Sequence, residues 1–167
     1  MVQGAEDAPV TLIEYASYTC PHCARFHEEV FGPLKVDYID TGKVKFIHRE
    51  IYFDRFGLLA ATVANCGGPE KYYAINGLIY HTQHDWIGDG TDATISANLT
   101  KLGLRAGLTQ EELNVCMTDV THAQAMVATF QTRATNDAID STPTLIVNGV
   151  KYSNMSYADL QPILDAA

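Results

Sequence analysis

The sequence predicts an α/β protein in which a mixed central sheet is interrupted by a long helical insertion. A strand-like run, Val10 to Tyr15, is closely followed by Cys20-Pro21-His22-Cys23 at the start of a helix. A later apolar run, Leu145-Ile146-Val147, leads into Asn148-Gly149, a strong hairpin signal. Between them, from about Asp54 to Asp140, most signals are helical and no repeat is visible. The expected order is strand, helix, strand, helical insertion, strand, strand, helix.

The elements follow from local chemistry. Pro21 fits the first turn of a helix, where a missing N–H costs nothing. That helix should extend past Phe31, with Gly32-Pro33 kinking or breaking it. Lys43 to Ile47 reads as a central strand with His48 at its end in a structural role. Phe56, Leu59, Ala60, Val63 and Cys66 recur at helical spacing until Gly67-Gly68-Pro69 stops one helix and permits another, striped by Tyr72, Ile75 and Ile79. A polar loop is expected around Trp86 to Thr91, then a short helix with Ile95, Leu99 and Leu102. Thr109-x-x-Glu112 is a capping-box signature; the helix it starts should bury Leu113, Cys116 or Met117, and Val120. Val127, Phe130 and Ala134 continue the pattern. Asn148-Gly149 favours a type I′ turn that returns Val150-Lys151-Tyr152 as a strand. Ser156 can cap a last helix bearing Leu160, Ile163 and Leu164.

Cys20 and Cys23 lie one helical turn apart directly after a strand, which reads as a redox dithiol. A thiolate is the attacking species in disulfide exchange, and a sulfur at a helix start feels unsatisfied N–H groups and the positive end of the macrodipole. Cys20 is therefore the expected nucleophile and Cys23 the resolving thiol. His22 can add a donor or a positive charge beside the sulfur. Each unit by which a thiol pKa is depressed favours the reduced, ionised form by about 1.4 kcal/mol, which is roughly 30 mV for a two-electron couple. With Pro-His between the cysteines and no carboxylate, the pair leans toward the oxidising end. The rival reading, half of a zinc site, needs two more ligands at suitable spacing. Cys66 and Cys116 stand alone far down the chain, and His27 lies on the same predicted helix as Cys20, so no metal is expected.

Ala8-Pro9-Val10-Thr11 before the first strand, Glu14 six residues before Cys20, the C-P-H-C motif, and Thr142-Pro143 with the Asn148-Gly149 hairpin together resemble the DsbA-like thiol–disulfide oxidoreductases. The resemblance spans nearly the whole chain. It implies a thioredoxin fold with an inserted helical domain: residues 1–53 as the first part with the active motif, 54–140 as the insertion, and 141–167 as the second part with a cis-proline loop. It further implies that Cys20 forms a mixed disulfide, that Cys23 resolves it, that the Thr142-Pro143 loop holds a substrate peptide, and that Glu14 is a buried acid able to relay protons to Cys23. Tyr18, two residues before Cys20, is expected to line the substrate groove. Thr142 replaces the apolar residue often found there in strong oxidants and is shared with isomerases and reductases of the same fold. Both directions of exchange therefore stay open, as does a non-catalytic peptide- or zinc-binding module. Against an isomerase stands the lack of an obvious dimerisation domain.

The resemblance also implies cysteine-containing, incompletely folded exported proteins as substrates, a DsbB-like membrane reoxidant, no cofactor beyond the Cys20–Cys23 disulfide, and the bacterial periplasm or cell envelope as the compartment. No signal-peptide pattern or span of roughly 20 apolar residues is visible, so a processed mature form restarted at Met1 is expected. A 47% hydrophobic content over 167 residues suffices for one core-bearing unit, and a formal charge of −9 without a Lys/Arg run argues against nucleic acid or anionic membrane as an electrostatic partner.

Cys66 and Cys116 each fall on the apolar face of a predicted helix, as two inert thiols or as a disulfide. An oxidising compartment favours the disulfide. A second redox pair is disfavoured because neither has the helix-start position that lowers a thiol pKa. His81-x-x-His84 reads as surface or capping histidines. Tyr15, Tyr18, Tyr72 and Tyr73 read as core and rim aromatics.

Overall fold

A computed structural model describes residues 1–167. Its sheet is built around β2 (Val10–Ala16), which pairs in parallel with β3 (Val44–Glu50) and antiparallel with β4 (Thr144–Val147). β5 (Val150–Ser153) and the short β1 (Val2–Gln3) form the edges, giving the order β1-β3-β2-β4-β5. β1 carries too few residues to show a periodicity and was not expected. β3 is interior, while β2 is the central strand. Asn148 and Gly149 both take positive φ, as a two-residue type I′ hairpin requires.

Strand alternation decides what each face meets. Val10, Leu12 and Glu14 of β2 and Val44, Phe46 and His48 of β3 are all buried. The apolar members of this set pack with Phe26, Val30, Leu34, Leu160 and Leu164 from the helices above them. Those helices are α1 (Pro21–Phe26), the π-helical turn His27–Phe31 that carries Val30, α2 (Gly32–Leu34) and the C-terminal α9 (Tyr157–Asp165), the last capped by Ser156. On the opposite face, Tyr15, Ile51 and Ile146 pack with Phe130, Ala134 and Ile139.

Of the two outcomes expected at Gly32-Pro33, a kink or a break, the break does not occur. Two π-helical turns, His27–Phe31 and Lys35–Ile39, flank α2, and the run continues through residue 39. Wider turns accommodate the missing N–H and the ring of Pro33 without ending the helix.

Between β3 and β4 the chain forms α3 (Arg55–Cys66), α4 (Gly68–His81), α5 (Gln83–Ile87), α6 (Asp92–Arg105), α7 (Gln110–Thr118) and α8 (Val120–Asn136). Tyr72, Ile75, Ile79, Ile95, Leu99 and Leu113 share one core with Tyr18 and Cys23, so the insertion packs directly beneath the dithiol. Trp86 is a correction: it lies in α5 and is buried, its indole N–H donating to the Ile79 carbonyl at 2.9 Å, and the loop is only Gly88 to Thr91. Val120 is another. Asp119 ends α7 and caps α8, and this break turns Val120 out to solvent. The capping box at Thr109 and Glu112 is present on both sides. No helix is long and apolar enough to cross a membrane.

Candidate active site

The end of β2 delivers the chain to a tight turn in which the Cys20 N–H donates to the Ser17 carbonyl at 3.1 Å. Cys20 is the extended N-cap of α1, Pro21 opens the helix, and Cys23 falls one turn later with its N–H on the Cys20 carbonyl. Cys20 is half-buried and Cys23 is 0% exposed; both are free thiols. Two contacts brace this loop from the insertion. Gln83 Nε2 donates to the carbonyls of Tyr18 and Cys20 at 2.7 and 3.0 Å, and Thr19 Oγ1 donates to Asp54 Oδ2 at 2.7 Å. Neither Gln83 nor Asp54 carried a sequence signal for this role.

The two sulfurs are electrostatically unequal. The Cys23 thiol donates to Cys20, and this is the main cause that lowers the Cys20 pKa to about 5; partial burial opposes it, and the Thr142 side chain and the backbone N–H groups of Cys23 and His22 assist. Burial pushes the Cys23 thiol far up, reinforced by the bond it donates and by the charges of Glu14 and Cys20. At pH 7, about two units above its pKa, Cys20 is roughly 99% thiolate, while Cys23 keeps its proton. His22 contributes through its backbone only: its exposed ring makes no hydrogen bond to the sulfur. Thiolate absorbance of the reduced protein should therefore titrate near pH 5, and in Cys23→Ala protein, which lacks the donor, the midpoint should climb toward the ordinary value of 9.0.

Thr142 and Pro143 meet Cys20 from the other half of the fold. Cys20 Sγ lies 3.5 Å from the Thr142 carbonyl oxygen, the Thr142–Pro143 peptide is cis, and Pro143 is buried. Tyr18 does not line a groove at this surface. It is buried, with its hydroxyl donating to Asn76 Oδ1 at 2.7 Å and lying 3.2 Å from the Tyr72 hydroxyl, because the turn before Cys20 points it into the insertion.

Behind Cys23 lies a polar cluster. Glu14, fully buried on β2, sits opposite His48 in the parallel register, and its Oε2 accepts from His27 Nε2 at 2.9 Å. His48 is held between the hydroxyls of Tyr72, 2.8 Å from Nδ1, and Tyr80, 3.1 Å from Nε2. Glu14, His27 and His48 bring potential metal-ligand atoms within 4.8 Å of one another. Here both ring nitrogens of His48 are hydrogen-bonded to tyrosine hydroxyls and His27 Nε2 to Glu14, so the cluster is held by hydrogen bonds among protein groups. His27 was weighed in the sequence only as a zinc ligand. Its spacing of four from Cys23, which puts both on one helix face, was the available signal.

Cys66 and Cys116 are joined by a disulfide that ties α3 to α7. His81 and His84 are exposed. An apolar groove between α3, α7 and α8, lined by Leu58, Met117, Val120 and Val127 among others, contains no residue of the Cys20 loop.

The family described as Thioredoxin matches residues 1–166. A Rickettsia bellii protein provisionally named a protein-disulfide oxidoreductase is 31% identical over all of this chain, which spans 64% of that protein's length. Disulfide bond formation protein D of Bacillus subtilis is 28% identical over 60% of this chain and 49% of its own. The crystal structure of Wolbachia pipientis alpha-DsbA1 superposes with a TM-score of 0.89 at 28% identity, covering 99% of this chain and 88% of that one.

Proposed function

Because the chain belongs to the thioredoxin family, with a DsbA-like architecture, we propose that it is a thiol–disulfide oxidoreductase that introduces disulfides into exported proteins. The observation that carries this reading is the split dithiol: a half-exposed Cys20 thiolate beside the Thr142–Pro143 loop, and a buried Cys23 that keeps its proton. With the pair oxidised, a substrate thiolate attacks Cys20 Sγ. The Cys20–Cys23 bond breaks, and Cys23 departs and is protonated. A second substrate thiolate then attacks the substrate sulfur of the mixed disulfide, a substrate disulfide forms, and Cys20 leaves as its stable thiolate. Two electrons pass from substrate to protein, and no cofactor beyond the cysteine pair is required.

A stabilised Cys20 thiolate favours the reduced protein, which makes the oxidised form a disulfide donor. Thr142 keeps a reductase or isomerase as the second reading, since its side chain faces the nucleophile. Residues 1–53 and 141–167 supply the exchange chemistry in this account, and 54–140 is a lid whose Gln83 and Asp54 brace the loop. The Cys66–Cys116 disulfide supports an oxidising compartment, the periplasm or cell envelope. There, incompletely folded cysteine-containing proteins are the substrates and a DsbB-like membrane protein the reoxidant.

The sign of the linkage follows from Cys20. Its folded pKa, about 5, lies below the ordinary 9.0, so its contribution to the reduced protein is full above pH 9 and is lost as pH falls through 5. The excess stability of reduced over oxidised protein should therefore grow from pH 5 to 9 in denaturant titrations. Cys20 is about half exposed, so screening reduces the size of this effect but not its direction. The function itself is tested by oxidative refolding: catalytic amounts in a glutathione buffer should speed the recovery of reduced, unfolded ribonuclease. No gain there, with rapid reduction of insulin instead, would assign the protein to the reductases.

A further inference from the structure

The departing Cys23 sulfur needs a proton in a place that solvent does not reach. Cys23 is 0% exposed, so when the Cys20–Cys23 bond opens the thiolate cannot draw a proton from bulk water, and during reoxidation the same proton has to leave. The titratable groups around it come from several elements: Glu14 of β2, His48 of β3, His27 of the first helical run, Tyr72, Tyr73 and Tyr80 of α4, Tyr18 of the active-site turn, and the Met1 amino group. Burial holds His48 in its neutral form and pushes all four tyrosines up. The Met1 amino group is committed to the His48 carbonyl at 3.1 Å. Glu50 of β3 is taken up by the side chains of Tyr52, Asn65 and Tyr72, which donate to it, and this leaves Glu14 and His27.

Their geometry fits a shared proton. His27 Nε2 and Glu14 Oε2 are 2.9 Å apart with both side chains almost fully buried. The imidazole is fixed between the rings of Tyr80, 4.1 Å away and nearly parallel, and Phe31, 4.8 Å away. Glu14 Oε1 and His27 Nδ1 are buried without any partner, the two unsatisfied atoms a proton-accepting pair would hold in reserve. His27 follows Cys23 by one helical turn, and the charge of Glu14 is felt at Cys23.

We propose that His27 is a positioning residue for proton transfer at Cys23: with Glu14 it forms one buried pair that holds a proton while the disulfide is closed and delivers it, through Glu14, to the departing sulfur. The pair then carries no net charge while loaded, which suits a site without water. When the disulfide opens, the substrate–Cys20 bond forms, the Cys20–Cys23 bond breaks, and the proton moves from the pair to Cys23, leaving one negative charge on Glu14–His27. Reoxidation returns the proton to the pair as Cys23 re-forms its bond to Cys20.

This inference rests on the thiol-exchange reading, and one experiment separates the two. Oxidised protein is mixed with a cysteine-containing peptide from pH 5 to 9, quenched with acid, and the rate of disulfide opening is followed by mass spectrometry. Wild type is compared with Glu14→Gln, His27→Phe, His27→Gln and Glu14→Gln/His27→Phe. The phenyl ring keeps the stacking between Tyr80 and Phe31, and glutamine keeps an N–H toward Glu14 without being able to hold the proton. Both His27 variants should open roughly tenfold or more slowly near pH 7, with a pH profile that departs from that of wild type. Thiolate titration of Cys20 should stay in place, since neither Glu14 nor His27 is among the groups that lower it. The double variant should be no slower than the slower single one. Should His27→Phe fail to fold, His27→Gln decides. Wild-type rates and pH profile in the folded His27 variants, or losses that multiply in the double variant, would overturn the proposal. Wild-type protein that does not open at all would instead remove the exchange reading on which it stands.

Discussion

Cys23→Ser protein is expected to arrest as a covalent adduct at Cys20 when it meets a disulfide-containing peptide, whereas Cys20→Ser protein should form no adduct and exchange no faster than buffer. The serine hydroxyl can still donate to Cys20, so the thiolate that attacks is preserved while the group that resolves the mixed disulfide is gone. Cys20 is the sulfur that reaches the surface, and at pH 7 the shift from 9.0 to about 5 raises its thiolate fraction by about 100-fold. Intramolecular attack by a positioned thiol enjoys effective concentrations far above those of any external thiol, so even after discounting for the protonated state of Cys23 the adduct should persist roughly 10³-fold longer at millimolar external thiol. In the reverse variant the remaining sulfur is buried and protonated, and no substrate can approach it. Mass spectrometry under non-reducing conditions distinguishes the cases. An adduct on Cys23 in Cys20→Ser protein, or resolution in Cys23→Ser protein as rapid as in wild type, would contradict the assignment of roles.

Removing the second disulfide should produce the largest loss of stability. Cys66 and Cys116 close a loop with a sequence separation of 50, and the bond joins α3 to α7 within the insertion. In the chain-entropy model a loop of this size is worth about 4 kcal/mol, which for a chain of this length lowers the melting temperature by roughly 8–16 °C. With the Cys20–Cys23 pair in the same redox state in both proteins, Cys66→Ala/Cys116→Ala protein should melt lower than wild type by that amount, and the difference should vanish once the wild-type Cys66–Cys116 bond is reduced. A melting temperature unchanged by the double substitution would mean that the denatured chain gains little freedom when the link is cut.

The fold was legible because periodicity is strong where the chain is most regular. The alternation of Val10, Leu12 and Glu14, the stripe of Tyr72, Ile75 and Ile79, and the Asn148-Gly149 turn each report local geometry. Errors fall where neighbours in space override local preference. Gly32-Pro33 was expected to kink or break the first helix, and the chain stays helical there by widening into π turns. Trp86 sits among polar residues in sequence, but its large apolar surface is claimed by α4 and the insertion core. Of the candidate site, Cys20 and Cys23 carried signals of type and spacing, whereas Glu14 and the Thr142-Pro143 loop were marked by the resemblance to the DsbA-like oxidoreductases. Tyr18 misled because proximity in sequence to Cys20 does not say which way a turn aims its side chain. Gln83 and His27 were hidden for a related reason: each acts on a partner set by the tertiary fold, Gln83 on the carbonyls of the Cys20 turn and His27 on a carboxylate of β2.

The central claim is that the Cys20 thiolate is stabilised enough to make the closed Cys20–Cys23 pair give its disulfide away. Its most direct test is the reduction potential of that pair, equilibrated in glutathione buffers and read in Cys66→Ala/Cys116→Ala protein so that a single couple is measured. The account predicts a potential more positive than about −200 mV, on the oxidising side of the glutathione poise. A value at or below about −270 mV, where thioredoxin lies, would contradict it and make this protein a reductant.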